Sequence, residues 1–178
     1  MVDLKSFVEV KLKQEDDFLK ESIGSICNFA DEIVFINNDN PIVEYRTFYV
    51  IFEESLNKKN GFYLDIGAYD GIQTSNTFVL EKDLNWSGIC VEANSEVFNT
   101  LSLNRKSKNL NLAVLDYKGY CSFYGDSVRN DNIGNLTPCD TLNNILEQND
   151  APSIIDYMSI DIEGSEFNAL KDFDFKKW

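Results

Sequence analysis

A chain of 178 residues has room for one domain, or one domain with an appendage, and 43% hydrophobic content suffices for a packed core. Its 16 basic residues against 30 acidic ones leave a formal net charge of −14. That balance excludes a general nucleic-acid or anionic-membrane binder, because such a surface repels polyphosphate at long range.

Residues 1–17 mix charged and apolar side chains and lack the apolar run of a signal peptide. No stretch approaches the ~20 apolar residues that cross a bilayer, so no membrane insertion is expected. Cys27, Cys90, Cys121 and Cys139 stand far apart, without a C-x-x-C pair. They read as reduced thiols of a cytoplasmic protein. Histidine is absent, so a general base must be a carboxylate, Lys, Tyr or Cys, and a metal site must be rich in oxygen.

In chain order, Val8, Val10 and Leu12 alternate as in a half-buried strand, and Phe18, Leu19, Ile23 and Ile26 follow helical spacing. Glu32–Asn37 is a short apolar strand, and Glu44–Asn57 a helix stopped by Asn60-Gly61. Residues 1–60 thus form a strand-helix-strand-helix appendage. A regular alternation begins at residue 61: strand Phe62–Ile66, helix Ile72–Leu84, strand Gly88–Val91, and a helix around Val97, Phe98 and Leu101. Next come strand Leu110–Leu115, an antiparallel strand Tyr120–Tyr124, and a polar loop Asp126–Pro138. A helix on Leu142, Ile145 and Leu146, strand Ile155–Ile162, and a helix starting near Phe167 complete the domain 61–178. The pattern predicts an α/β fold whose mainly parallel sheet is flanked by helices.

Three segments carry chemistry. In Tyr63-Leu64-Asp65-Ile66-Gly67-Ala68-Tyr69-Asp70-Gly71 a buried strand ends in an acid and turns through glycine into a helix. Ligands of open parallel sheets bind at such carboxyl ends, and Gly67 has no Cβ to hold them off. The spacing is neither G-x-G-x-x-G nor a phosphate loop, so pyrophosphate and a nicotinamide cofactor are disfavoured. A tight turn that happens to hold two glycines would look the same. Glu92, at the tip of the next strand, can accept both hydroxyl protons of a ribose, or simply be solvated. In Ser159-Ile160-Asp161-Ile162-Glu163-Gly164-Ser165-Glu166 three carboxylates meet at a strand end. Crowded carboxylates raise one another's pKa, which suits a general base or a divalent metal. The same residues could cap the following helix.

Together the segments YLDIGAYDGIQTSNT, ICVEAN, LNLAVLDYKGYCSFY, TLNNIL and YMSIDIEGSEFNAL, spanning about Gly61 to Phe175, resemble FkbM-type methyltransferases in order and style. The resemblance implies a Rossmann-like fold, S-adenosylmethionine as methyl donor, and O-methylation of a sugar or other small hydroxyl acceptor in glycan or secondary-metabolite synthesis. It places Asp65, Gly67 and Gly71 at the donor's amino-acid end, Glu92 on its ribose and Asp116 near its adenine edge. Ser75 and Asn76 help fix the donor, and Asp161, Glu163 and Glu166 face the acceptor. Asp161 is the first choice of base, then Glu163 or Glu166; alternatively these carboxylates bind Mg²⁺ and acidify the acceptor hydroxyl.

The family's core continues with a fifth parallel strand, whereas this chain ends at Trp178 about where that strand should start. The bare edge of Ile155–Ile162 then implies an inactive remnant or ligand-binding module, completion by homo-oligomerisation, or cover by the N-terminal unit. The last is the expectation, with Glu32–Asn37 beside Ile155–Ile162. Residues 8–40 also resemble the opening βαβ of a family 2 glycosyltransferase.

Overall fold

The apolar runs become parallel strands because each must bury two faces, and helices supply the cover on both sides. The computed structural model describes residues 7–12, 32–37, 59–73, 75–124, 127–129 and 136–178. In chain order the strands are β1 (Phe7–Leu12), β2 (Glu32–Asn37), β3 (Phe62–Ile66), β4 (Ser87–Val91) and β5 (Lys108–Leu110). They continue with β6 (Ala113–Val114), β7 (Gly119–Tyr124), β8 (Ser127–Arg129), β9 (Leu136–Asp140) and β10 (Tyr157–Ile160). The helices among the described residues are α1 (Phe78–Leu84), α2 (Ser95–Asn104), α3 (Leu142–Gln148) and α4 (Glu166–Leu170). The helices expected near Phe18–Ile26 and over Glu44–Asn57 lie outside the described residues.

The main sheet runs β2-β1-β10-β3-β4-β5, parallel throughout. Alternation along its strands separates two cores. Leu64, Ile66, Ile89, Val91, Met158 and Ile160 face Leu142, Ile145 and Leu146 of α3 and Ala169 and Leu170 of α4. Tyr63, Cys90 and Tyr157 face Leu80 of α1 and Leu101 of α2, with Trp86 closing that side. The result is the three-layer, Rossmann-like α/β arrangement that the alternating pattern predicts. Cys90, Cys121 and Cys139 are free, buried thiols.

Several expected boundaries move. The N-terminal unit does cover the edge of β10, but the strand seated there is β1, with Phe7 opposite Tyr157 and Val10 opposite Ile160. Glu32–Asn37 pairs one place further out, on β1. The expected strand Leu110–Leu115 is two strands in different sheets. Between them the Asn111 side-chain amide donates to the carbonyls of Glu92 (2.8 Å) and Ala93 (3.3 Å) and turns the chain away from β4. The segment read as the loop Asp126–Pro138 contains β8 and enters β9, in a second sheet ordered β6-β9-β7-β8. Pro138 masked that strand. It is tolerated because β6 reaches only Cys139 and Asp140, leaving Pro138 flanked on one side alone. The first helix starts at Phe78, not Ile72, for a reason that lies in the site.

Candidate active site

From β3 the chain crosses to β4 on one side, while β10 lies on the other. The loops leaving β3 and β10 therefore diverge, and a crevice opens where the strand order reverses. A cleft of about 340 Å³ occupies that position, within the range of small-molecule sites. Asp65, Gly67, Tyr69, Ser75, Asn76, Glu92, Asn94, Ser159, Asp161, Glu163 and Ser165 contribute its polar lining. Val97, Leu112, Ala113 and Val114 contribute apolar lining. Of the residues singled out from sequence, the fold brings Asp65, Gly67, Ser75, Asn76, Glu92, Asp161 and Glu163 together. Gly71, Asp116 and Glu166 stand outside the lining.

Gly67 holds the crevice shut at its base. Its φ is +83°, and a Cβ there would stand 1.9 Å from the carbonyl oxygen of Asp161. The Gly67 and Ala68 N–H groups both donate to the Val91 carbonyl, at 2.9 and 3.0 Å, tying the bend to the end of β4. Across the switch, Asp161 N–H donates to the Ile66 carbonyl at 2.8 Å. Strands β4, β3 and β10 thus meet through one glycine.

Glu92 is buried at the tip of β4. One carboxylate oxygen accepts from the Asn94 N–H at 2.7 Å and the other from the Tyr69 N–H at 3.0 Å. These two bonds orient the carboxylate at the cleft. Asn94 in turn caps α2, accepting from the N–H groups of Glu96 and Val97.

The acidic loop after β10 divides its carboxylates. Asp161 and Glu163 line the cleft. Glu166 is buried instead, and its Oε1 accepts from the N–H groups of Ile162 (3.1 Å) and Gly164 (3.2 Å). It braces the loop ahead of α4 and stands outside the cleft lining, while Ser165, one of the two caps that the sequence offered, makes no side-chain cap bond. Among the described residues, no group of three or more His, Cys, Asp and Glu side chains gathers closely enough to hold a metal ion. Asp116 pairs with Lys171 at 3.1 Å, away from the cleft, because α4 brings that ammonium to it.

Sequence reading missed the residue that organises the floor of the site. Arg105, 4% exposed, donates to Glu81 (3.0 Å), the Gly71 carbonyl (3.1 Å), Ser75 (3.1 Å), Tyr63 (2.8 Å) and Thr77 (2.9 Å). Its guanidinium lies 3.9 Å from the Asp65 carboxylate. Thr77 donates its hydroxyl to Asp65 at 2.5 Å, which is why it makes no side-chain cap bond to α1. Asp70 accepts from the Ile72 and Gln73 N–H groups instead, making a turn where the helix was expected. Gly71 belongs to this packing: at φ +80°, a Cβ would meet Arg105 Cγ at 2.5 Å. Burial pushes the neighbouring Cys90 thiol up to about 12, and it raises the Tyr63 phenol as well. Both stay neutral near pH 7. An arginine following a helix ordinarily reads as solvated, and only the packing of Gly71, Ser75 and Thr77 against it reveals the burial.

The switch-point cleft gathers the acid at the tip of β4 and two carboxylates of the acidic loop after β10. Residues 127–178 match the family model of the methyltransferase FkbM domain. The FkbM match takes in β8, β9, α3, β10, the acidic loop and α4, and shows for that span the likeness read from sequence. The FkbM domain marks methyl transfer as the general activity class. No curated protein and no solved structure matches the chain.

Proposed function

We propose that the cleft binds S-adenosylmethionine and that the chain transfers its methyl group to a hydroxyl of a sugar or similar small acceptor. The observation that carries the reading is the convergence of the Gly67 bend, Glu92 and Asp161 on one cleft at the switch point. In this reading Asp65, Gly67, Ser75 and Asn76 surround the amino-acid end. Glu92 accepts ribose hydroxyls beside the N–H groups of Asn94 and Tyr69, and Val97, Leu112 and Val114 take the adenine, near whose edge the family resemblance placed Asp116.

When bound, the donor supplies a sulfonium methyl that is already activated. The protein's part is then to align an oxygen behind that methyl and exclude water, a contribution of roughly 7–11 kcal/mol. Asp161 is the base for the acceptor hydroxyl, with Glu163 beside it; a positioned base adds about 10²–10⁴-fold. A polyol acceptor suits the polar rim of Asn76, Ser159 and Ser165, and glycan assembly would supply it.

Calorimetric titration with S-adenosylhomocysteine tests the reading. Saturable binding is expected, weakened about tenfold or more in Glu92→Ala, the worth of ionic hydrogen bonds. No heat at millimolar ligand would overturn it.

A further inference from the structure

Tyr69 has the wrong backbone for its side chain. Its φ is +51°, a left-handed conformation that glycine and asparagine accept and a bulky aromatic residue resists. The ring is also 50% exposed, although it belongs to the cleft lining. The scaffold imposes both features. Gly71 N–H closes a turn onto the Ala68 carbonyl at 2.9 Å, and the Tyr69 N–H is held by Glu92 Oε2 at 3.0 Å. Strain kept by such over-determined contacts gathers at ligand clamps. Folding alone would be better served here by a small polar residue.

The Glu92 bond ties the Tyr69 backbone to the carboxylate at the tip of β4. Tyr69 shares the cleft lining with Glu92, Val97 and Leu112. An aromatic ring and apolar side chains in one cleft are the lining that a flat ligand with apolar faces requires. We propose that Tyr69 is a specificity residue whose ring stacks on the purine of a nucleoside bound in the cleft. The proposal rests on the donor reading above and adds a contact that the reading does not need. Aromatic stacking on a base is worth roughly five- to hundredfold in affinity by truncation.

The test separates stability from binding. Tyr69→Asn relieves the backbone while removing the ring, and its melting temperature is expected at or above that of the unaltered chain. Its affinity for S-adenosylhomocysteine is expected to fall at least about fivefold, and Tyr69→Phe to bind as the unaltered chain does. Methylthioadenosine, which lacks the amino-acid end, should lose affinity in parallel. Ile72→Ala, three positions along and also exposed but outside the cleft lining, should change nothing. Unchanged affinity in Tyr69→Asn overturns the proposal, as does a loss in Tyr69→Phe equal to that in Tyr69→Asn. Absence of binding by the unaltered chain overturns the donor reading itself, so the two failures are distinguishable.

Discussion

Two glycines four positions apart look equivalent in sequence and serve different partners in space. Gly67 faces the backbone of Asp161 across the switch point, whereas Gly71 faces the side chains of Arg105 and Leu101. A side chain can give way by a rotamer change, but a backbone carbonyl just past the end of β10, held through the Asp161 N–H bond to Ile66, cannot. Gly67→Ala therefore combines a left-handed backbone, costing about 1–2 kcal/mol, with a clash that must part β3 from β10. A loss of at least about 2 kcal/mol is expected by urea denaturation, together with loss of S-adenosylhomocysteine binding. Unaltered stability would mean that the two strand ends are not locked. The glycine turn and the acid at Glu92 were legible because they follow apolar strands directly. Glu166 was not, since three neighbouring carboxylates look alike until the loop decides which points inward.

Among the elements, α1, α2 and β3 are joined through the cluster of Arg105, Glu81 and Tyr63 rather than by apolar contact alone. Burial by itself would raise the Glu81 pKa. Hydrogen bonds from the Tyr63 hydroxyl, the Lys106 N–H and the Arg105 guanidinium outweigh it and hold the carboxyl below its ordinary value of 4.5. A depressed carboxyl contributes stability that is present above its unfolded pKa and is lost as the pH falls through the folded one. Melting temperatures recorded between pH ~3 and pH ~7 should fall on the acid side, and Glu81→Gln should flatten that limb while lowering the neutral plateau. An acid limb of the same steepness in the variant would remove Glu81 as its source. Apolar spacing disclosed α1 and α2 within the chain. It misplaced the start of α1, because the bond that sets it runs from Thr77 to Asp65, twelve positions earlier.

On the scale of the whole molecule, the main sheet extends past β10 on the side away from β3. Strand β1 lies between β2 and β10, so the apolar edge of β10 is paired. Proline in that interior place removes a ladder donor. Val10→Pro, opposite both Phe35 and Ile160, should lower the melting temperature and promote self-association through the uncovered edge, read by size-exclusion chromatography. A monomeric variant as stable as the parent would detach β1 from the sheet. Among the described residues no helix is long and apolar enough to cross a membrane. The sequence alone determined the α/β class, the strands β3, β4 and β10, and the acids at their tips, because burial periodicity and strand-end chemistry are local. Tertiary structure decided which strand covers β10, which carboxylate turns inward and that Arg105 lies beneath the site. Those outcomes depend on partners far apart in the chain, whose meeting no local pattern encodes.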